Sequence, residues 1–155
     1  MHNLFNHITK FIKIILLSIF SVIFVSSSNA QLNVEDIIKS RQALFSKNYS
    51  TAKRVQAFSS KGDFEKAKKL MIEMSENYKV LLDLFPENTE DEFDTEALPT
   101  VWEEKDAFNA LMTKASDDMI KLTSIIEDAD DIRGTLKQSM WSNCKACHSK
   151  YREEH

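Results

Sequence analysis

Two cysteines and a histidine near the end of the sequence have the residue types and the spacing for covalent attachment of a cofactor. Cys144, Cys147 and His148 lie in the stretch "NCKACHSKYR", and the 155 residues contain no other cysteine. Cys-x-x-Cys-His is the attachment signature of c-type haem. In that chemistry the two thiols form thioethers with the haem vinyl groups, and the adjacent imidazole ligates the iron. The motif therefore predicts one covalently bound haem c per chain.

Three other interpretations of the motif are weaker. A structural zinc site normally takes four ligands, and the only further histidine beyond residue 30 is His155. A thiol-redox Cys-x-x-Cys pair normally begins a helix in a βαβ setting, whereas this pair lies late in a helix-forming sequence. A chance occurrence explains poorly why both cysteines of the chain fall in the motif. A haem-free thiol-redox protein is kept as the least favoured hypothesis.

The elements that must position these side chains are helices. Four segments carry apolar residues at spacings of three and four, the pattern of helices that bury one face. They run over about residues 33–59, 63–85, 99–128 and 130–153. Beyond residue 30 the chain has only two glycines and two prolines, so few positions break a helix. Two short connections and one longer acidic loop, 86–98, predict an all-α, antiparallel up-down-up-down four-helix bundle.

The motif lies on the apolar face of the fourth predicted helix. Cys144, Cys147 and His148 have the spacing i, i+3 and i+4, which places them on one side of a helix. Met140 and Tyr151 extend the same face in both directions. The reactive groups are therefore expected to point into the bundle, where a haem would form part of the core.

The first 30 residues have the character of an export signal. Lys10 and Lys13 precede an apolar run over 14–25, and small residues follow up to Ala30. This is the pattern of a secretory signal peptide, which predicts cleavage after about Ala30, a mature domain over 31–155 and a periplasmic location. A membrane anchor is the alternative, but twelve apolar residues are short against the roughly 20 that a span needs.

The charge and the composition exclude some classes of partner. The net charge of the whole chain is −4, and residues 31–155 carry 18 basic and 24 acidic side chains, a charge of −6. A nucleic acid is therefore not expected as a partner, since its binding requires a basic surface. The sequence shows no paired nucleophile and base and no substrate-shaped polar cluster, so we predict a binding or electron-transfer protein and not an enzyme.

Three stretches together resemble the cytochrome c′ family of class II c-type cytochromes. They are "CKACHSKYR" in the fourth segment, "VEDIIKSRQALF" in the first and "LPTVWEEKDAF" at the start of the third. The resemblance covers residues 31–155. It implies binding of NO and CO, electron exchange with a periplasmic redox partner and, because members of the family often dimerise through their first two helices, a homodimer to be tested for.

The resemblance also implies roles for four residues outside the motif. Arg41 and Gln42 would meet the haem propionates, and Arg152 would stand beside the imidazole of His148. Low-spin relatives carry a methionine on the first helix as the sixth iron ligand, and alignment by the Arg-Gln pair puts Phe45 at that position. The implied site is a five-coordinate, high-spin haem with an apolar open face that has no hydrogen-bond donor.

A six-coordinate, low-spin electron carrier remains the alternative to this gas-binding protein. Methionine can ligate haem iron, although at helical spacing it more often fills an apolar core. Five methionines are candidates: Met71, Met74, Met112, Met119 and Met140. Trp102 is expected to pack either near the haem or against the long loop.

Overall fold

The computed structural model describes residues 25–90 and 93–154, with side chains from residue 34 onward. The chain divides into two compact units, 1–36 and 37–155, and the second contains the predicted site. Most of the predicted signal peptide lies outside the described residues, so its cleavage remains a prediction. None of the described helices has the length and apolar character needed to cross a membrane.

The described residues form the predicted all-α four-helix bundle. In chain order the helices are α1 (Val25–Ser59), α2 (Phe64–Leu81), α3 (Thr100–Glu103), α4 (Lys105–Ile125), α5 (Ile132–Leu136) and α6 (Ser142–Tyr151). The long helices α1, α2 and α4 and the run from α5 to α6 are the four members of the bundle. An ion pair of 2.5 Å between Lys68 and Glu127 joins the start of α2 to the end of α4, as an antiparallel arrangement requires.

Two of the four predicted segments are interrupted. The third divides at Glu104, whose φ of −117° and ψ of 41° separate α3 from α4. The fourth contains a wider π-helical turn over Lys137–Trp141, between α5 and α6. Such turns add a residue to the helical repeat and often occur at functional sites. Here the turn rotates α6 relative to α5 directly before the cysteine motif.

Two aspartates, each close to a glycine in the sequence, cap the starts of helices α2 and α5. Asp63 caps α2 by accepting a hydrogen bond from the amide of Lys66, and Asp131 caps α5 by accepting one of 2.9 Å from the amide of Gly134. A Cβ atom at position 134 would lie 2.3 Å from an Asp131 carboxylate oxygen, so glycine is the residue that allows this cap. Gly62, with φ of +74°, forms the tight turn before Asp63.

The half of the bundle away from the motif is a closed apolar core. Side chains of α1, α2, α4 and the π-helical turn fill it with no more than 1% exposure: Val55, Ala67, Met71, Met74, Met119, Leu122, Ile126 and Met140. The hydroxyls of Ser75 and Ser116 pair across α2 and α4 at 2.8 Å within this core. All five methionines beyond the first residue are buried, as their helical spacing predicts.

Candidate haem-binding site

A cavity of about 790 Å³ lies in the other half of the bundle. Its volume falls within the roughly 300–1,000 Å³ of cofactor and ligand pockets. The structure brings all seven residues predicted for the site to its walls: Arg41, Gln42, Phe45, Cys144, Cys147, His148 and Arg152. These residues come from the first helix and from the C-terminal part of the chain, far apart in sequence. The fold brings them together at one cavity.

The α6 wall carries the two thiols and the imidazole in uncharged form. Burial raises the pKa of Cys144, and burial together with the neighbouring Cys144 thiol raises that of Cys147 to about 11. The pKa of His148 is lowered by burial and by the cation of Arg152, against a smaller opposing effect of Glu96. The neutral imidazole is the form of histidine that binds a metal, because its nitrogen lone pair is free.

Tyr78 on α2 is a cavity residue that was not singled out from the sequence. Its hydroxyl lies near the thiol of Cys144. That thiol donates to the carbonyl of Met140 at 3.8 Å. Burial raises the pKa of Tyr78 far above its ordinary value, so the hydroxyl keeps its proton. The spacing of Tyr78 in the apolar stripe of α2 gave no sign of this contact, because the partner lies on another helix.

The α1 wall presents Arg41, Phe45 and Asn48, at spacings of four and three along one face of the helix. The ring of Phe45 packs edge-on against Phe85, with ring centroids 6.2 Å apart. Asn48 is a polar cavity residue that the sequence analysis did not single out. This wall therefore combines an apolar ring with a buried carboxamide one turn further along.

Arg41 ties α1 to the long loop between α2 and α3. Its two terminal nitrogens donate to Thr89 Oγ1 at 2.9 Å, to Thr95 Oγ1 at 2.5 Å and to the carbonyls of Leu84 and Thr89, each at 3.3 Å. The guanidinium also stacks over Phe85 at 4.6 Å. Burial among these neutral groups lowers the pKa of Arg41 to about 10. Its contact with haem propionates remains a prediction, whereas its role in holding the loop is visible here.

The C-terminal end of the loop lies beside the motif. Ala97 and Arg152 form an isolated antiparallel bridge, and the amide of Leu98 donates to the carbonyl of Tyr151 at 3.1 Å. Arg152 Nε donates to Glu96 Oε2 at 2.7 Å. The structure thus places Arg152 beside the cavity, paired with a carboxylate that also acts on the pKa of His148.

Trp102 belongs to the long loop's packing and not to the cavity wall. Its indole nitrogen donates to the carbonyl of Pro86 at 3.0 Å, and its ring packs edge-on against Phe85 at 6.1 Å. Of the two places expected for this side chain, the structure shows the contact with the loop.

The sequence as a whole matches one family. The family model described as Cytochrome C' matches residues 36–152, which is most of the chain and includes both cavity walls. The chain belongs to the cytochrome c′ family. It therefore carries covalently bound haem c, and the four-helix bundle is the fold expected of this family.

Individual relatives agree with the family assignment. A cytochrome c' of Rhodopseudomonas palustris is 28% identical over 120 residues, which cover 76% of this chain and 82% of the relative. The crystal structure of cytochrome c' from Rubrivivax gelatinosus aligns with a TM-score of 0.65 at 27% identity, covering 77% of this chain and 97% of that one. A nitric oxide complex of a cytochrome c prime variant from Alcaligenes xylosoxidans has a TM-score of 0.66 at 22% identity, covers 78% and 97% of the two chains, and shows the fold alone.

The residues around the cavity fit the haem of this family. Two thiols and an imidazole on one wall are the donor set of a c-type haem, and the remaining wall is rich in aromatic and aliphatic side chains such as Phe45, Phe108 and Leu111. Within the described part of the chain, no group of three or more His, Cys, Asp or Glu side chains is arranged to hold a metal ion. The two thiols and the imidazole are thus the donor set that attaches a c-type haem.

The cavity also narrows the choice of a sixth iron ligand. Of the five candidate methionines, only Met112 on α4 is among the described cavity residues. Met71, Met74, Met119 and Met140 lie in the apolar core without reaching the cavity. A six-coordinate site built from methionine would therefore depend on Met112.

Proposed function

We propose that this chain is a periplasmic c-type haem protein whose five-coordinate, high-spin iron binds NO and CO and also transfers electrons. Cys144 and Cys147 form the thioether bonds, and His148 is the axial ligand. The observation that carries the proposal is that the motif and Phe45 line the same cavity from two different helices. An apolar ring, and not a ligating side chain, stands at the α1 position that the family resemblance assigns to the sixth ligand.

The nature of the walls supports a small neutral ligand. The ring centroids of Phe45 and Phe85 are 6.2 Å apart, and those of Phe85 and Phe108 are 4.7 Å apart. This side of the cavity is therefore aromatic. The polarity and steric access of the pocket around haem iron decide which ligands bind. Aromatic walls favour uncharged diatomic molecules over anions, whose dehydration costs more free energy.

Two further observations support parts of the proposal. The nitric oxide complex of the Alcaligenes xylosoxidans protein shows that a chain of similar fold holds this ligand, which makes NO the ligand to test here. The leader-like residues 1–30 support export to the periplasm, where a redox partner would be met. A binding and electron-transfer role, and not an enzymatic one, is what the aromatic and aliphatic lining of the cavity supports.

A six-coordinate electron carrier is the second candidate, because Met112 lines the cavity and methionine sulfur ligates haem iron in other cytochromes. In that case the iron would have no free position, and neither gas would bind without displacing the methionine. The two candidates thus differ in one measurable property, the coordination number of the reduced iron.

The visible spectrum of the dithionite-reduced holoprotein, before and after addition of CO, distinguishes the candidates. We expect one broad visible band that changes on addition of CO. Sharp, split α and β bands that CO leaves unchanged would contradict the open site, and their loss in Met112→Leu would identify the sixth ligand. In the Phe45→Met variant we expect the split bands to appear, since the new sulfur would stand at the open position. An unchanged spectrum in a haem-loaded Phe45→Met protein would contradict the placement of Phe45.

A further inference from the structure

Charge is distributed unevenly between the two walls of the cavity and the rest of the chain. Residues 37–59 of α1 carry five basic side chains, and residues 137–152, which contain the π-helical turn and α6, carry four. Neither stretch contains an acidic residue. The rest of residues 31–155 carries the other nine basic side chains and all 24 acidic ones. The α1 and α6 walls are therefore basic in a protein whose net charge over these residues is −6.

The cavity opens to the surface between these two basic stretches. Exposed residues of both stretches line it, among them Ser46 of α1 and Lys145 of α6. Of the described cavity residues Glu96 is the single acidic one, and Arg152 donates to its carboxylate at 2.7 Å. The mouth of the cavity thus has a basic rim in which the one carboxylate is already paired.

Two lysines at this mouth have no acidic partner within the described part of the chain. Lys145 lines the cavity, and Nζ of Lys53 lies 4.1 Å from the centroid of the Tyr49 ring. Neither lysine forms an ion pair with a described carboxylate, whereas Lys47 on the same face of the sequence pairs with Glu73 at 2.8 Å. The charges of Lys53 and Lys145 therefore remain available to a partner from outside the chain.

Two aromatic side chains connect these lysines. The rings of Tyr49 and Trp141 both line the cavity and meet edge-on, with centroids 6.1 Å apart. Trp141 Nε1 donates to Gln56 Oε1 at 3.0 Å, which fixes the indole against α1, and Tyr49 is 55% exposed. Tyrosine and tryptophan are enriched among the residues that dominate protein interfaces. We call Lys53, Tyr49, Trp141 and Lys145 the mouth patch.

We propose that the mouth patch is the docking surface for an acidic redox protein that exchanges single electrons with the haem across the cavity mouth. This inference rests on the electron-transfer part of the proposed function. Charge complementarity identifies the partner, because a basic patch attracts an acidic surface and speeds the encounter even on a protein that is acidic as a whole. In each encounter the partner is oxidised by one electron and the ferric iron becomes ferrous, or the reverse, and no bond forms or breaks.

Reduction of the ferric holoprotein by reduced flavodoxin, a small acidic flavoprotein, tests the docking surface. One electron passes from the flavin hydroquinone, which becomes a semiquinone, to the iron. Two proteins of like net charge repel each other, so net charge alone predicts a second-order rate constant that rises with ionic strength. The mouth patch predicts the opposite: the rate constant should fall between about 10 mM and about 500 mM ionic strength, as salt screens the attraction. This comparison needs no variant.

Charge reversal in the mouth patch should slow the reaction. A Lys53→Glu, Lys145→Glu double variant should react at least about tenfold more slowly at about 10 mM ionic strength, and the difference should nearly vanish at about 500 mM. The matched control is Lys61→Glu, Lys69→Glu, which changes the net charge equally. Both control lysines are exposed and lie off the cavity walls, so this variant should react within about twofold of the wild-type rate.

Carbodiimide cross-linking locates the contact independently of the electron-transfer rate. The reagent joins a lysine amine to a carboxylate that touches it. Mass spectrometry should find Lys53 or Lys145 joined to carboxylates of flavodoxin. Cross-links from Lys61 or Lys69 alone would overturn the proposed surface.

The outcomes separate this inference from the function on which it rests. If neither dithionite nor flavodoxin reduces the ferric holoprotein, the electron-transfer proposal and this inference both fail. If dithionite reduces it but the rate with flavodoxin rises with ionic strength, or the two double variants react alike, electron transfer stands and the docking surface is overturned. Binding to phosphatidylglycerol vesicles that Lys53→Glu, Lys145→Glu loses, with an unchanged flavodoxin rate, would assign the patch to a membrane and would also overturn it.

Discussion

The closed half and the cavity half of the bundle use the same four helices differently. In the closed half, flexible methionines such as Met71, Met74 and Met119 fill the space between α2 and α4. In the cavity half, the rings of Phe45, Phe85 and other aromatic residues stand around a volume of about 790 Å³. Methionine adapts to irregular gaps, whereas rigid rings hold a space open for a planar cofactor.

Both halves contain buried polar groups, and some of these groups lack a partner among the described residues. The Ser116 hydroxyl donates to the Ser75 carbonyl at 3.2 Å, and the two hydroxyls pair at 2.8 Å, so both serine side chains have partners within the protein. The pair of Asn48 and Asn77 leaves one amide nitrogen without a partner. The hydroxyl of Ser59, at the end of α1 in the closed half, is likewise buried without a partner among the described residues, so unpaired polar groups are not confined to the cavity half.

Replacement of both motif cysteines should have the largest effect, because it should empty the cavity half and spare the closed half. In a Cys144→Ser, Cys147→Ser double variant we expect complete loss of covalently bound haem, because a serine hydroxyl does not form the thioether bonds. Haem staining of the polypeptide on a denaturing gel measures this, and the closed half should keep its helical circular dichroism. A stained band from the double variant would show that the attachment residues lie elsewhere.

Truncation in the closed half should mainly reduce stability. Met74 is fully buried, and Met74→Ala should lower the free energy of unfolding of the holoprotein by about 2–5 kcal/mol, since it leaves a cavity in a packed core. Denaturant titration followed by circular dichroism measures the change. Met74→Leu, which nearly conserves volume, should cost less than about 1.5 kcal/mol. Equal losses in the two variants would contradict the close packing described for this half.

The pair of Ser75 and Ser116 should show the free-energy cost of leaving a hydroxyl unpaired in the closed half. Ser116→Ala removes the acceptor of the Ser75 hydroxyl and should cost about 1–3 kcal/mol of unfolding free energy. A Ser75→Ala, Ser116→Ala double variant should lose less than the sum of the two single variants, because no hydroxyl remains unpaired in it. Additive losses would show that the two hydroxyls do not depend on each other.

We expect the smallest effect on stability from substitution of Asp118. Its carboxylate on α4 accepts a hydrogen bond from Asn143 on α6 and so links the two helices. Burial raises its pKa, but hydrogen bonds from Lys114 and from Asn143 Nδ2, the latter at 2.9 Å, outweigh that effect and hold the pKa below its usual value. The contribution to stability is therefore present above the unfolded pKa and is lost as the pH falls through the folded one. Asp118→Asn should be less stable than wild type at pH 7 by less than about 1 kcal/mol. Denaturant titration at several pH values measures the difference in unfolding free energy between the two proteins, which should disappear in acid. A difference that persists at pH 2 would show that the charge of Asp118 is not its cause.

The motif and the bundle could be predicted from the sequence because both depend on local patterns. Cys144, Cys147 and His148 are close in sequence, and each helix shows its buried face in its own apolar spacing. The family resemblance added Phe45 and Arg152, which the structure places at the same cavity. Their roles there remain predictions.

The rest depends on contacts between distant residues, which one sequence does not display. Arg41 was assigned to the propionates, while the structure shows its hydrogen bonds to Thr89 and Thr95, about 50 residues away. The pairing of Asn48 with Asn77 likewise joins two helices. In the sequence, Asn48 is a polar residue among several in α1, and only the packing of α1 against α2 makes it buried.

A crystal structure of the ferrous holoprotein exposed to CO tests the central claim most directly, namely that the cavity between α1 and α6 holds haem with an open iron position. We predict thioether bonds to Cys144 and Cys147, His148 on the iron, and CO on the opposite side next to Phe45. The sulfur of Met112 bound to the iron would contradict the open site. A haem bound outside the cavity would contradict the account as a whole.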